Sequence, residues 1–175
     1  MVERWLTVDP EGSIVSMFRL SKAMNHGGRA SDMLQALARV RPELYLTESL
    51  KGGSTKALDR NAEAAFRSLA TKDIAAARRI KDILPRPEQR KSAEIAIAMG
   101  VAQSDAVAAV ALARELNNEE VFAESLNAAV RIGPGIIGQV LEANDGKFSA
   151  GVLVPKLMFR YPDVPEEYKK PWLGL

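Results

Sequence analysis

The 175-residue chain contains no cysteine. That excludes a disulfide framework, a thiolate zinc site and a cysteine nucleophile, and it leaves the redox compartment unspecified. There is a single histidine, His26. A Ser-His-Asp triad would have to use it, and a zinc site would need carboxylates for every other ligand. His26 stands in Asn25-His26-Gly27-Gly28, the composition of an exposed turn. No apolar run approaches the roughly 20 residues that a membrane-spanning helix needs, and the N-terminus carries Glu3 with no signal-peptide core. Neither sign of charge dominates: 24 basic against 22 acidic residues leave a formal charge of +2. Charge alone therefore does not mark a nucleic-acid binder. A soluble chain, with the cytoplasm favoured, is the setting these features suggest.

What the chain does have is a period. Lys72-Asp73-Ile74-Ala75-Ala76-Ala77 is echoed by Ser104-Asp105-Ala106-Val107-Ala108-Ala109, and aligning the residue after that Asp places Pro10, Pro42, Ile74, Ala106, Pro134 and Pro162 in one column, at steps of 32, 32, 32, 28 and 28 residues. The column reads as a helix start. Asp9, Asp73 and Asp105 stand at the N-cap, where a carboxylate accepts from free backbone N–H groups and suits the positive helix end. The prolines sit one residue later, where the missing N–H costs nothing.

A second helix precedes each mark and shows its buried face in register. Five residues before the mark lie Trp5, Leu37, Leu69, Val101, Ala129 and Leu157; eight before it lie Val2, Leu34, Phe66, Ala98, Leu126 and Val154. Four before it come Leu6, Ala38, Ala70, Ala102, Val130 and Met158, which completes an i, i+3, i+4 stripe. In the first helices Ile80, Ile83 and Leu84 read as the apolar face, Ile80 and Leu84 aligning with Leu112 and Leu116 and Ile83 with Glu115. Between the helices of each unit the sequence breaks at 25–28, Lys51-Gly52-Gly53-Ser54, Pro85-Arg86-Pro87, Asn117-Asn118 and Asn144-Asp145-Gly146. Met1 to Thr7 matches the end of a second helix, and the tail after Pro165 ends in Trp172-Leu173-Gly174-Leu175. The expectation is an array that starts in mid-unit, in which either the tail folds back as a cap or the chain is a piece of a longer array.

These hairpins resemble α-solenoid repeats of the tetratricopeptide-like and HEAT-like kind over about residues 8 to 160, although no Trp-x-x-Leu-Gly-x-x-Tyr run is present. Residues 72–85 are most similar to the Ala-rich "Asp-Pro-x-x-Ala … Leu-Pro" hairpins repeated in large uncharacterised bacterial proteins. The resemblance implies an all-α, right-handed superhelix of about five hairpins, with a repeat of 28–32 residues, forming one domain over 1–175. It also implies a binding surface, with no catalytic residues, cofactor or metal to carry over.

Five stretches offer candidate chemistry. Arg78, Arg79, Lys81, Arg86, Arg90 and Lys91 form the strongest basic concentration, a ridge that could follow a phosphate backbone. Asp73, Asp82, Glu88 and Glu94 interleave with it, as on a solvated and partly paired helix face. Lys51-Gly52-Gly53-Ser54-Thr55-Lys56 has the glycines of a phosphate cradle but not the Walker spacing. Glu119-Glu120 suits a first helical turn, and Asn144-Asp145-Gly146 lacks the spaced oxygens of a calcium loop. Gly133-Pro134-Gly135-Ile136-Ile137-Gly138 is unusual for a helix start, and close helix contact at Gly138 would explain it.

The leading expectation is therefore a non-catalytic module that binds or scaffolds a protein or peptide. A nucleic-acid-binding solenoid using the Arg78–Lys91 ridge is the alternative. An enzyme acting on nucleic-acid bases, as some HEAT-like solenoids are, would need a cleft with a buried carboxylate and aromatic platforms, and aromatics are only 6% of the chain.

Overall fold

The structure, a computed structural model, describes residues 28–51 and 58–149 and the single positions 8, 12 and 16. Every regular element among the described residues is a helix, and none is a strand. In chain order the helices are α1 (Gly28–Val40), α2 (Pro42–Lys51), α3 (Arg60–Ala70), α4 (Ile74–Asp82), α5 (Pro87–Ser104), α6 (Ala106–Leu116), α7 (Glu119–Ile132) and α8 (Pro134–Asn144). The chain divides into two compact units, Met1–Ile97 and Ala98–Leu175, the division falling within α5. In the first, α1, α2 and α3 pack on one another and α4 packs on α2 and α3. In the second, α6, α7 and α8 pack on one another.

The helices start where local chemistry tells them to. Asp73 and Asp105 take nearly the same backbone conformation, φ −150° ψ 91° and φ −145° ψ 90°. Each turns Oδ1 to accept from the N–H three residues on, Ala76 at 2.8 Å and Ala108 at 2.9 Å. Asp59 caps α3 through the Ala62 N–H at 2.7 Å, and Asn118 caps α7 through the Val121 N–H at 3.0 Å. Each such cap stabilises its helix by about 1 kcal/mol, because it satisfies a donor the helix itself cannot. In the Asn117-Asn118 pair the labour is divided: Asn117 ends α6 in the left-handed conformation (φ 47°), and Asn118 starts α7.

One hydrogen bond recurs at the four described junctions between a second helix and the following first helix. The residue just before the mark donates its N–H to the carbonyl of the column residue four positions back. The pairs are Arg41 to Leu37 at 2.8 Å, Asp73 to Leu69 at 2.7 Å, Asp105 to Val101 at 2.7 Å and Gly133 to Ala129 at 2.9 Å. The column carbonyls are thus the ones that close the second helices, and their side chains, Leu37, Leu69, Val101 and Ala129, are all buried. Phe66, Ala98 and Leu126 are buried in the second column and Ala38, Ala70 and Ala102 in the third. Leu34 and Val130 are half-buried.

One residue expected on the apolar face of the first helices is exposed. Ile83, expected on the apolar face with Ile80 and Leu84, is 70% exposed. α4 stops at Asp82, one turn before Pro85, and Ile83 is its C-cap. The residue before a proline is driven out of the helical conformation, so Leu84 leaves the helix and turns into the core instead. Pro87, read as part of the turn, is the first residue of α5.

A closed turn follows α8 in the second unit. Asn144 accepts the Phe148 N–H at 3.0 Å and donates to the Phe148 carbonyl at 2.8 Å, while the Phe148 ring stacks on buried Phe122 with centroids 5.3 Å apart. The Trp5 and Leu157 ends of the column, Asp9-Pro10, His26, the 52–57 loop, Pro162 and Trp172 lie outside the described residues.

Candidate functional site

The six basic residues of the expected ridge do not act alike. α4 buries Ala76, Ala77 and Ile80, which places Arg78 and Arg79 in solvent. Lys81, on the flank nearer α5, donates to Glu94 Oε2 at 2.6 Å and lies 3.2 Å from Asp82 Oδ1. Its side chain is 19% exposed and that of Glu94 21%, so this ion pair is well shielded from water. The hydrogen bond to Glu94 holds the Lys81 ammonium above the ordinary lysine range against the opposing effect of burial. Arg90 is half-buried and donates Nη1 to the Leu84 carbonyl at 2.6 Å. That carbonyl lies past the end of α4, so the guanidinium locks the turn between α4 and α5.

Lys81 and Arg90 are therefore parts of the corner's construction. Arg78, Arg79, Arg86 and Lys91 are exposed, and none of them forms an ion pair among the described residues. Ile83 stands among them. Sequence periodicity placed it in the core, but a signal for its exposure was available: Ile83 and Leu84 are adjacent at a helix end, where successive side chains point about 100° apart, so one of the two faces outward.

The remaining candidates resolve into structural roles. Glu119 and Glu120 are exposed in the first turn of α7, where acids suit the helix dipole. The Asn144-Asp145-Gly146 turn spends its oxygens on the chain: Asn144 binds Phe148, and the Asp145 carboxylate pairs with Arg114 at 3.5 Å. Arg114 also donates to the Ala143 carbonyl at 3.1 Å, tying the end of α6 to the end of α8. Among the described residues, no three His, Cys, Asp or Glu side chains come together to hold a metal ion. Nor is any described helix long and apolar enough to cross a membrane. Gly138 is not a site of close helix contact: it is exposed, and a Cβ built there meets nothing within 4 Å among the described residues. Gly133 is the glycine the backbone requires, with φ +146° in a region that L side chains rarely adopt.

Comparison with known proteins found no matching family model, no matching curated protein and no matching solved structure. The functional reading therefore rests on the chain's own geometry, on which the α4–α5 corner is the most distinctive surface. It combines a fixed backbone, four solvent-facing cations and one solvent-facing isoleucine.

Proposed function

We propose that the chain is a non-catalytic helical-repeat module that binds or scaffolds a protein or peptide, its hairpins stacking as a right-handed α-solenoid. The observation that carries this reading is the junction hydrogen bond repeated at Arg41, Asp73, Asp105 and Gly133, each donating to a buried-column residue. A single local geometry reused at 28- to 32-residue spacing is what a tandem array requires. The pattern of contacts agrees with it: within each unit one first helix touches the next, α2 on α4 and α6 on α8, and second helix α1 touches α3. Stacks of this kind offer extended surfaces for a partner and need no specialised pocket.

The test is selection of a random peptide library against the full chain, followed by fluorescence anisotropy on the enriched peptides. Enrichment over an unrelated helical protein supports the module. Failure to enrich any peptide removes it.

Nucleic-acid binding along 78–91 is the second reading, favoured by exposed Arg78, Arg79, Arg86 and Lys91. Phosphate-backbone binding of this kind falls steeply with salt. The engagement of Lys81 and Arg90 by protein acceptors leaves it a smaller charge than the sequence offered.

A further inference from the structure

Building on the reading of the chain as a binding module, we propose that the corner between α4 and α5 docks an acidic peptide segment carrying one apolar anchor side chain. Ile83 is the centre of this surface. At 70% exposure it leaves most of an isoleucine in water, which is unfavourable for the free protein and is relieved when an apolar side chain covers it. Arg79 precedes Ile83 by four residues and so lies on the same side of α4, one turn back. Arg78 adjoins Arg79, Arg86 follows Ile83 by three residues across the Pro85 turn, and Lys91 lies on the exposed side of α5; all four are exposed.

The corner is rigid before any partner arrives. Leu84 is buried immediately after Ile83, its N–H donates to the Lys81 carbonyl at 3.0 Å, and its carbonyl receives Arg90 at 2.6 Å. The Lys81–Glu94 pair at 2.6 Å then ties α4 to α5. Fixed anchors bind with less loss of conformational entropy than mobile ones. Two acids, Asp82 and Glu88, are exposed nearby, but Asp82 already faces Lys81 at 3.2 Å. The surplus at the corner is positive, which selects an acidic partner.

Two observations favour a peptide over a nucleic acid. Residues 72–121, which build the corner, contain no aromatic side chain, so among the described residues the corner itself supplies no platform on which bases could stack. An isoleucine among the cations gives contact area to an apolar side chain and none to a phosphate.

The experiment uses the full chain, the peptides enriched from the random library, a short single-stranded RNA and a DNA duplex, all read by fluorescence anisotropy. The variants are the double substitution Arg79→Glu/Arg86→Glu and the single substitution Ile83→Ser. All three positions are exposed, and unchanged helicity by circular dichroism confirms that the variants fold. Enriched peptides should be rich in Asp and Glu around an apolar residue. They should bind the double variant at least about tenfold more weakly and Ile83→Ser several-fold more weakly. Peptides that bind both variants as tightly as the parent would overturn the corner while leaving the binding module standing. No enriched peptide at all removes both. RNA or DNA bound more tightly than any peptide, and unaffected by Ile83→Ser, would assign the corner to phosphate and overturn the proposal.

Discussion

Lys81 Nζ and Glu94 Oε2 lie 2.6 Å apart and join two helices that are adjacent in sequence only through a proline turn. Both side chains are about four-fifths buried, so the pair is held in a medium where a charge-assisted hydrogen bond is stronger than at an open surface. A double-mutant cycle with Lys81→Met and Glu94→Gln should return a coupling of about 1 kcal/mol in urea unfolding. The folded Lys81 pKa is raised, so the stabilisation that comes from its positive charge is fully present just below the ordinary lysine value of about 10.4. It is lost as pH rises through the folded value. The parent should therefore lose stability at alkaline pH more steeply than Lys81→Met; identical alkaline profiles would show that the pair contributes nothing.

Tyr45 gives a second alkaline signature. It is buried in α2, and its hydroxyl donates to the Asp59 carboxylate, at 3.5 Å, that caps α3. Burial first, and then the Asp59 charge, push its ionisation well above the usual tyrosine range. Of the three tyrosines in the chain, Tyr45 should resist ionisation in an ultraviolet pH titration until the protein unfolds. Tyr45→Phe should remove that delayed step at a stability cost of about 1 kcal/mol, the usual net worth of lost side-chain hydrogen bonding.

The matched caps make matched predictions. Asp73→Ala and Asp105→Ala should each destabilise by about 1 kcal/mol, and Asp→Asn at either site should cost only a fraction of that, because the amide oxygen still accepts the Ala76 or Ala108 N–H. Denaturant midpoints of the four variants check this. A large difference between the two alanine variants would contradict the equivalence of their local geometry.

The glycines around α8 should respond with opposite signs. Gly133→Ala forces a side chain into φ +146° and should cost about 1 to 3 kcal/mol. Gly138→Ala, in an exposed helix interior with open space around the new methyl group, should add about 0.5 to 1 kcal/mol. Thermal melts of the two variants should move in opposite directions from the parent.

What was legible in the sequence is what local chemistry controls. The starts of α2, α4, α6 and α8 follow from Asp73, Asp105, Pro42 and Pro134, because a cap acts across three residues and a proline acts on its own backbone. The buried columns Leu37, Leu69, Val101 and Ala129 followed from helical periodicity, since a helix that buries one face must repeat it every turn or so. The fate of the basic residues was not legible. Whether Lys81 and Arg90 stay in solvent depends on where Glu94 and the Leu84 carbonyl come to lie, and those positions are set by how α5 returns beside α4. Ile83 and Gly138 follow the same logic: composition marks one as core and the other as a contact point, yet exposure depends on which neighbours arrive, and among the described residues few or none do at either place. Capping and periodicity are encoded within a turn of helix, so the sequence by itself determined the succession of helices and their inward faces. Burial of a particular charge, methyl group or glycine is a property of two elements packed together, and only the tertiary structure decided it.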